Sequence, residues 1–449
     1  MANVIRLQKG LDINLKGKAT EEIININQPR VYSLVPDDFV GITPKVVVKE
    51  QESIKVGEPL FIDKNHPELL FVSPVSGVVA KVERGARRKV MNIIVEASAE
   101  QQYKEFGKQD VSKLSGQEVK TLLLDSGMFA FIKQRPYDII ANPNTEPKAI
   151  FVTAFDSNPL APNFEYVLKG DEKNLQTGLD ALAKIAKVYF NISSKQTSKA
   201  LTEAKGVEVT AFEGKHPAGN VGVQINNIAP ISKGEVVWTL DAQAVIFIGR
   251  LMNNGVVDFS KKVAITGSEV EKPAYCVLKV GASLTDVFKQ VCKSEEKLRY
   301  ISGNVLTGKR VEQDGYLGAF HNQVTVIPEG DDTHEMFGWI MPRFSQFSTS
   351  RSYFSWLMGK KEYKLDSRIK GGGRNMIMSG EYDKVLPMDI YPEFLIKSII
   401  AGDIDRMEAL GIYEVAPEDF AICEFVCSSK LELQRIVREG LDMLRAEME

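Results

Sequence analysis

Short β-branched runs broken by turns fill the first hundred residues. Lys45-Val46-Val47-Val48, Ile54-Lys55-Val56, Phe71-Val72 and Val78-Val79-Ala80-Lys81-Val82 are punctuated by Gly10, Gly17, Gly41, Gly57, Gly77 and Gly85. No long helical period interrupts them, so the pattern predicts an all-strand module. Residues 101–115 are polar and read as a linker. Ser115-Gly116-Gln117-Glu118 then has the form of a capping box, with Ser115 as N-cap, a helix over 119–126 and Gly127 as its stop. Beyond it the period changes repeatedly between strand and helix. Ala149–Thr153, Val188–Ile192 and Val207–Phe212 read as strands. Between the first two, Leu175, Leu179, Leu182 and Ile185 share one helical face. A short helix at 198–204 ends at Gly206. Another over 240–252 places Ala244, Ile248, Leu251 and Met252 together and ends at Asn254-Gly255. Strands alternating with helices argue for a parallel, doubly wound sheet.

A third unit opens at Val263–Gly267 and continues through Tyr275–Gly281. Ser283 then caps a helix carrying Leu284, Val287, Phe288 and Val291. Two strands followed by a helix suggest a β-grasp module ending near Pro328. Pro392 fits the first turn of a helix through Ile400, Asp403 caps the next, which Gly411 ends, and Pro417 starts a short segment. The tail carries Leu433, Ile436, Val437, Gly440, Leu441 and Leu444 along one side. The expected architecture is multidomain α/β. A barrel-sandwich hybrid occupies 1–100, a Rossmann-like domain 101–258, a β-grasp (SLBB-like) domain 259–330 and a mainly helical region 331–449.

The chain has 449 residues, 44% hydrophobic and 26% charged, so it has ample material for several cores. A net charge of −3 disfavours nucleic acid as a partner. Four cysteines are too few for a disulfide scaffold at this length. The N-terminus lacks a signal-peptide core and no apolar run reaches the length of a membrane span. A soluble protein, or one peripheral on a membrane through partners, is expected.

The strand–turn–strand Phe71-Val72-Ser73-Pro74-Val75-Ser76-Gly77-Val78-Val79, with its upstream match at 45–61, resembles the β-hammerhead of biotinyl and lipoyl carrier domains. Lipoyl domains present their lysine as Asp-Lys-Ala at a hairpin tip, and Asp63-Lys64-Asn65 is similar. Lys64, however, precedes Ser73 by a longer stretch that contains His66-Pro67, and the biotinyl Met-Lys-Met tip is absent. An exposed hairpin lysine is the plainer reading.

Phosphate-bearing cofactors need a glycine-rich loop, because side chains obstruct the approach of backbone N–H groups. The corresponding place reads Ser126-Gly127-Met128-Phe129-Ala130-Phe131-Ile132-Lys133-Gln134-Arg135-Pro136. One glycine remains and bulky residues follow it. A cubane iron–sulfur cluster needs four thiolates, yet only Cys423 and Cys427 are close in sequence, and Cys276 and Cys292 fall in another module. His66, His216, His321 and His334 are scattered without zinc spacing. His216 lies in a loop after the third strand, where ligands often bind. Arg84–Lys89 is a basic hairpin tip that meets solvent, an acidic partner or anionic headgroups. The aromatic stretch Phe337-Gly338-Trp339-Ile340-Met341-Pro342-Arg343-Phe344, with Tyr353–Leu357, reads as core or as a docking surface.

Taken together the chain resembles the A subunits of sodium-pumping NADH:quinone oxidoreductases, nearly end to end. The resemblance rests on Lys9-Gly10-Leu11-Asp12-Ile13, Ser73–Gly77, Phe131–Pro136, Phe151–Pro162, His216-Pro217-Ala218-Gly219, Val237-Trp238-Thr239, Ile248–Leu251, Leu386–Ile390 and Cys423-Glu424-Phe425-Val426-Cys427. It implies a relative of the flavin- and NADH-binding subunits of other respiratory complexes whose glycine loop is degenerate and of whose cluster ligands only Cys423 and Cys427 survive. It further implies no tightly bound cofactor on this chain, with flavins, iron–sulfur centres and NADH on partner subunits. The expected location is peripheral, on the cytoplasmic side of the bacterial inner membrane, beside integral membrane subunits. Quinone is the implied ligand, with Phe129, Phe131, Lys133, Arg135 and His216 as candidate contacts. The alternatives are a carrier modified at Lys64 and a purely structural organiser.

Overall fold

The fold is taken from a computed structural model, which describes residues 3–293, 297–331, 337, 340–359 and 361–448. His334, Gly338 and Trp339, singled out above, lie outside the described residues. The chain opens with β1 (Asn3–Arg6) and then builds the hammerhead from β2 (Val31–Leu34), β3 (Pro44–Val46), β4 (Ser53–Ile54), β5 (Pro59–Asp63), β6 (Leu70–Val72), β7 (Gly77–Arg84) and β8 (Val90–Ala97). One sheet runs β2-β8-β7-β4 and the other β3-β5-β6. The β-branched runs alternate faces as a half-buried strand requires, and Phe61 of β5 stacks on its cross-strand partner Phe71 of β6 at 4.4 Å, both buried.

β1 departs from the expected boundary. It pairs in parallel with a strand of the next domain, Asn3 opposite Thr210 and Ile5 opposite Phe212, rather than with the hammerhead. The first residues therefore belong to the α/β sheet, because an edge strand there would otherwise be left unpaired. The expected linker is not free either. Lys104 N donates to Val56 O at 2.9 Å and Phe106 N to Gly255 O at 2.8 Å, which sews it to both domains.

The α/β domain comprises α1 (Gly116–Asp125), β9 (Lys133–Arg135), β10 (Ile139–Ile140), β11 (Ala149–Thr153), α2 (Phe164–Leu168), α3 (Glu172–Ile185), β12 (Val188–Ser193), α4 (Lys199–Thr202), β13 (Glu208–Glu213), α5 (Val221–Ile228), β14 (Val237–Asp241) and α6 (Ala242–Asn254). Its sheet runs β1-β13-β12-β11-β14-β9-β10. The five strands from β1 to β14 are parallel, while β9 and β10 join antiparallel. The capping box forms as the spacing predicts, Ser115 Oγ accepting from Glu118 N and the Glu118 carboxylate accepting from Ser115 N at 2.8 Å. Such a cap contributes about 1 kcal/mol. β14 was not expected, since Val237-Trp238-Thr239-Leu240 runs into α6 through Asp241 alone, which is both the last strand residue and the helix N-cap. Helices α3 and α6 approach at two glycines. A Cβ at Gly178 would lie 2.2 Å from Val245 O, and one at Gly249 would lie 1.8 Å from Asn174 O.

The β-grasp unit follows as β15 (Ser260–Thr266), β16 (Ala274–Lys279), α7 (Thr285–Val291), β17 (Leu298–Ser302), β18 (Lys309–Val311) and β19 (Gln323–Pro328), with sheet order β16-β15-β19-β17-β18. Leu284, not Ser283, is the N-cap of α7 and makes no side-chain cap. The C-terminal layer holds α8 (Glu381–Val385), α9 (Pro392–Ala401), α10 (Ile404–Ala409), α11 (Ala421–Val426) and α12 (Leu433–Met448). Asp403 caps α10 through Arg406 N, and Gly411 ends it with φ +91°. A single apolar core runs through the first three units. A second, around Leu395, Ile422, Leu433 and Leu441, sits in the C-terminal layer. Each such buried aliphatic side chain contributes roughly 1.5–3 kcal/mol. Among the described residues no helix is long and apolar enough to cross a membrane.

Candidate functional site

β11 comes first among the central parallel strands. The chain then builds outward on one side through β12 and β13, and later returns to the other side as β14. Between β11 and β14 the strand order reverses, and the carboxyl ends of strands at such a point open a crevice. A cavity of about 510 Å³ lies there. Thr153, Phe155 and Asp156 line it from the end of β11, and Thr239, Leu240 and Asp241 from the end of β14. The other three units complete the wall. Asp37, Asp38 and Val40 come from the hammerhead, Lys261, Lys309 and Ala319–Gln323 from the β-grasp unit, and Glu418, Gln434 and Arg438 from the C-terminal layer.

One wall is aromatic. Phe131 packs against Phe247, Phe259 and Phe320 at centroid distances of 5.5, 5.0 and 5.8 Å. Phe39 of the hammerhead joins Phe320 at 5.6 Å. Lys133 Nζ sits 4.8 Å above the Phe320 ring and 3.9 Å from Asp138. The opposite wall is polar and internally bonded. Asp241 accepts from Ala244 N and from Asn322 Nδ2, both at 2.7 Å. Asp156 accepts from Asn158 N at 2.7 Å, and burial holds its carboxyl above the usual range. Lys261 is buried, donates to Ala319 O at 3.1 Å, and burial pulls it down to about 8. His321 Nδ1 lies 2.9 Å from Ser302 Oγ, which accepts from Gly318 N. Burial pulls His321 down to about 4, and it is neutral near pH 7.

Of the residues the sequence nominated, Phe131 and Lys133 line this cavity. Phe129 does not. It is fully buried, with its ring 5.2 Å from Trp238. Arg135 lies behind the wall, fully buried, 3.0 Å from Glu418 Oε1, 3.4 Å from Asp419 Oδ2 and 3.8 Å from Asp138. His216 is also set back. It is 1% exposed, its Nδ1 lies 3.1 Å from Ser157 Oγ, and burial pulls it down to about 4. None of these three lines the cavity. Sequence reading missed Asp156, Asp241, Lys261, Phe320 and Asn322. Asp156 and Asp241 follow the carboxyl ends of strands, and that position was the available signal for Asp156. For Asp241 it was hidden with β14.

The degenerate loop offers no phosphate cradle. Met128–Phe131 fold as a 3-10 turn whose four residues are buried. Gly127 has φ +73°, and a Cβ on it would lie 2.6 Å from Val72 of β6. This glycine serves the approach of the hammerhead, not of a phosphate. The turn after β11, Ala154–Pro162, contains no glycine, and the N-terminus of α6 is occupied by its own Asp241 cap. A flavin or dinucleotide phosphate therefore does not fit at either place. The paired cysteines are not a cluster site in form. Cys423 and Cys427 are buried, Tyr382 donates to Cys427 Sγ at 2.9 Å, and burial pushes the Cys423 thiol well up. Cys276 and Cys292 are pushed up to about 12, against the thiolate that ligation needs. Among the described residues no group of histidines, cysteines and carboxylates could hold a metal ion.

Three family models match the chain in order: the NqrA N-terminal barrel-sandwich hybrid domain over residues 5–98, the NqrA second alpha/beta domain over 114–257, and the NQRA C-terminal domain over 262–313. The A subunit of the Na(+)-translocating NADH-quinone reductase of Photorhabdus laumondii is 35% identical over 449 residues, covering 99% of this chain and all of that one. The chain belongs to this A-subunit family. Other A subunits are similar over the same span, that of Neisseria meningitidis serogroup A at 33% and that of Yersinia pestis strain Angola at 32% identity, each covering 99% of this chain and all of its own. Among solved structures, an NAD+-reducing [NiFe]-hydrogenase in the H2-reduced state aligns with a TM-score of 0.37 and 12% identity over 75% of this chain and 64% of that chain, too distant to inform the site.

Proposed function

We propose that this chain is the A subunit of a sodium-pumping NADH:quinone reductase, attached peripherally to the cytoplasmic side of the membrane subunits, and that its crevice receives a quinone headgroup. Membership rests on similarity to A subunits along the whole length. The quinone reading rests on the wall chemistry. A flat, uncharged ring suits Phe131, Phe247 and Phe320, which present edges and faces within stacking range. The lining carries Asp37, Asp38, Asp138, Asp156, Asp241 and Glu418 against Lys133, Lys261, Lys309 and Arg438, an acidic excess that opposes a phosphate but not a neutral ring. Lys133 and Lys261 supply N–H donors for a carbonyl oxygen, and their interaction strengthens as that oxygen gains negative charge.

The chain itself brings no electron carrier in this reading. Flavins, iron–sulfur centres and NADH belong to partner subunits, and this chain binds and orients. A carrier role for Lys64 is less favoured. That lysine is exposed, but the neighbouring Asp63 is buried and accepts from Thr43 N at 2.8 Å, and His66 meets Asn144 at 3.5 Å, so the tip is fixed against the α/β domain. Intact-mass measurement of the native protein decides this point, since a lipoyl or biotinyl increment overturns the quinone-subunit reading. Membership in the complex is tested by purifying a C-terminally tagged chain from detergent-solubilised membranes. Integral membrane subunits are expected with it, and recovery of the chain alone contradicts the assignment. For the crevice, titration of the purified chain with a short-chain quinone is expected to be saturable and weakened about tenfold or more by Phe131→Ala.

A further inference from the structure

Residues 341–378 concentrate charge in a way the rest of the chain does not. Within the segment Arg343, Arg351, Lys360, Lys361, Lys364, Arg368, Lys370 and Arg374 are set against Glu362 and Asp366, a sequence excess of +6 in a chain whose total is −3, of which Lys364 is paired with Glu269 at 2.9 Å. Large apolar side chains stand out between these cations. Ile340, Phe354, Trp356 and Leu357 are 59%, 52%, 49% and 60% exposed, and Ile369 is 75% exposed. Soluble surfaces rarely leave so many together uncovered.

The segment is held by a few inward residues. Phe347 packs on Tyr363 and Phe425 at 5.4 and 5.8 Å, and Ser355 is buried within the 3-10 turn Phe354–Met358. That turn throws Trp356, Leu357 and Met358 outward together. Around them Arg351 lies 5.5 Å from the Trp356 ring, and Phe344 lies 6.0 Å from Phe354. Lys361 Nζ donates to Phe344 O at 3.1 Å. With its amide correctly oriented, Gln346 accepts from Arg343 and Lys370 at 2.7 and 2.9 Å, which brings the two ends of the segment together. The exposed tips of Phe354, Trp356, Leu357 and Met358 thus stand beside Arg351, on a segment whose Arg343 and Lys370 meet at Gln346.

We infer that this patch rests directly on an anionic lipid surface, with Trp356, Leu357 and Phe354 inserted at headgroup depth and Arg351, Arg374 and Lys370 over lipid phosphates. Charge complementarity selects the occupant. A bilayer asks for cations plus insertable apolar tips and makes no demand for a shaped groove. A protein partner buries its anchors in a well-packed pocket or groove, and the crevice described above does not include any residue of this segment. The inference does not depend on what the crevice binds.

The test is flotation of the purified full-length chain with vesicles of phosphatidylcholine containing phosphatidylglycerol, alongside vesicles of phosphatidylcholine alone. Binding is expected to the anionic vesicles, with a blue shift of tryptophan emission, and to fall at least about tenfold between low and high salt. Arg351→Glu with Arg374→Glu is expected to weaken it at least about tenfold. Leu357→Asp is expected to weaken it while retaining Trp356 as reporter. Both variants alter exposed residues, and unchanged thermal unfolding confirms that they fold. No flotation with anionic vesicles, equal flotation with neutral ones, or indifference to both variants overturns the inference. Retention of purified membrane proteins on the immobilised chain, without any vesicle binding, transfers the surface to a protein partner and equally overturns it.

Discussion

Arg135 offers the sharpest energetic test of how the C-terminal layer is held to the α/β sheet. Its guanidinium is wholly buried between Asp138, Glu418 and Asp419, which it meets at 3.8, 3.0 and 3.4 Å. Burial holds Asp419 above the ordinary carboxylate range, against the pull of Arg135. Asp138 is buried too, but Lys133 and Arg135 hold it below that range. Replacing Arg135 by Met fills much of the same volume and removes the positive charge. It leaves the carboxylates of Asp138, Glu418 and Asp419 without their shared counter-ion, for which about 3–5 kcal/mol is lost. Because these acids then titrate higher than in the parent, the folded state of the variant binds more protons than the unfolded one as pH approaches neutrality. The deficit relative to the parent is therefore smallest near pH 4 and grows as pH rises toward 7. For a cooperative unit of ordinary domain size the midpoint falls by on the order of 10 °C at pH 7. Differential scanning calorimetry, with limited proteolysis of the C-terminal layer, reads both quantities. Adding Asp419→Asn removes one stranded charge, and the double variant is expected to regain about 1–3 kcal/mol. A loss below about 1 kcal/mol at pH 7, or a deficit that does not change with pH, refutes the assignment of Arg135 to an essential buried ion network.

Gly127→Ala combines a left-handed backbone at φ +73° with a Cβ 2.6 Å from Val72 and is expected to cost about 2–4 kcal/mol in urea unfolding. Gly170→Ala, at φ +94° with nothing within 4 Å, is the matched control and costs only the backbone term, about 1 kcal/mol. Equal losses contradict the close approach of hammerhead and loop. His216 is held near pKa 4 in the fold, so its contribution is present at neutral pH and lost as pH falls from about 6.5 through 4, about 3 kcal/mol in all. His216→Gln is expected to flatten the pH dependence of the urea midpoint over that window, and parallel curves for parent and variant contradict it.

Much of the architecture was legible because local signals agreed with tertiary demands. The Ser115/Glu118 box, the β–α alternation and Pro392 each specify one structure without distant help, whereas Gly77 opens β7 rather than turning, and a Cβ there would lie 1.9 Å from Glu96 O of β8. What escaped depended on partners far away in sequence. β1 is only four residues long and gains strand character from pairing with β13. β14 and α6 share Asp241 as last strand residue and helix cap, with no turn between them. The site was half legible for the same reason. Phe131 and Lys133 stood out as bulk and charge where glycine belongs, but Phe129, Arg135 and His216 turn inward, which composition does not reveal. Lys261, Phe320 and Asn322 reach the crevice only because the β-grasp sheet is docked over it.

The central claim is that the space between the ends of β11 and β14 is a quinone-headgroup site. Photolabelling of the full-length chain with a short-chain azidoquinone, followed by peptide mapping, addresses it directly. Label is expected within residues 131–133, 239–247 and 319–323, displaced by excess unmodified quinone and lost when Ala244→Phe fills the cavity. Displaceable label that maps elsewhere on the chain, or label in the crevice that neither competitor nor cavity filling removes, contradicts it.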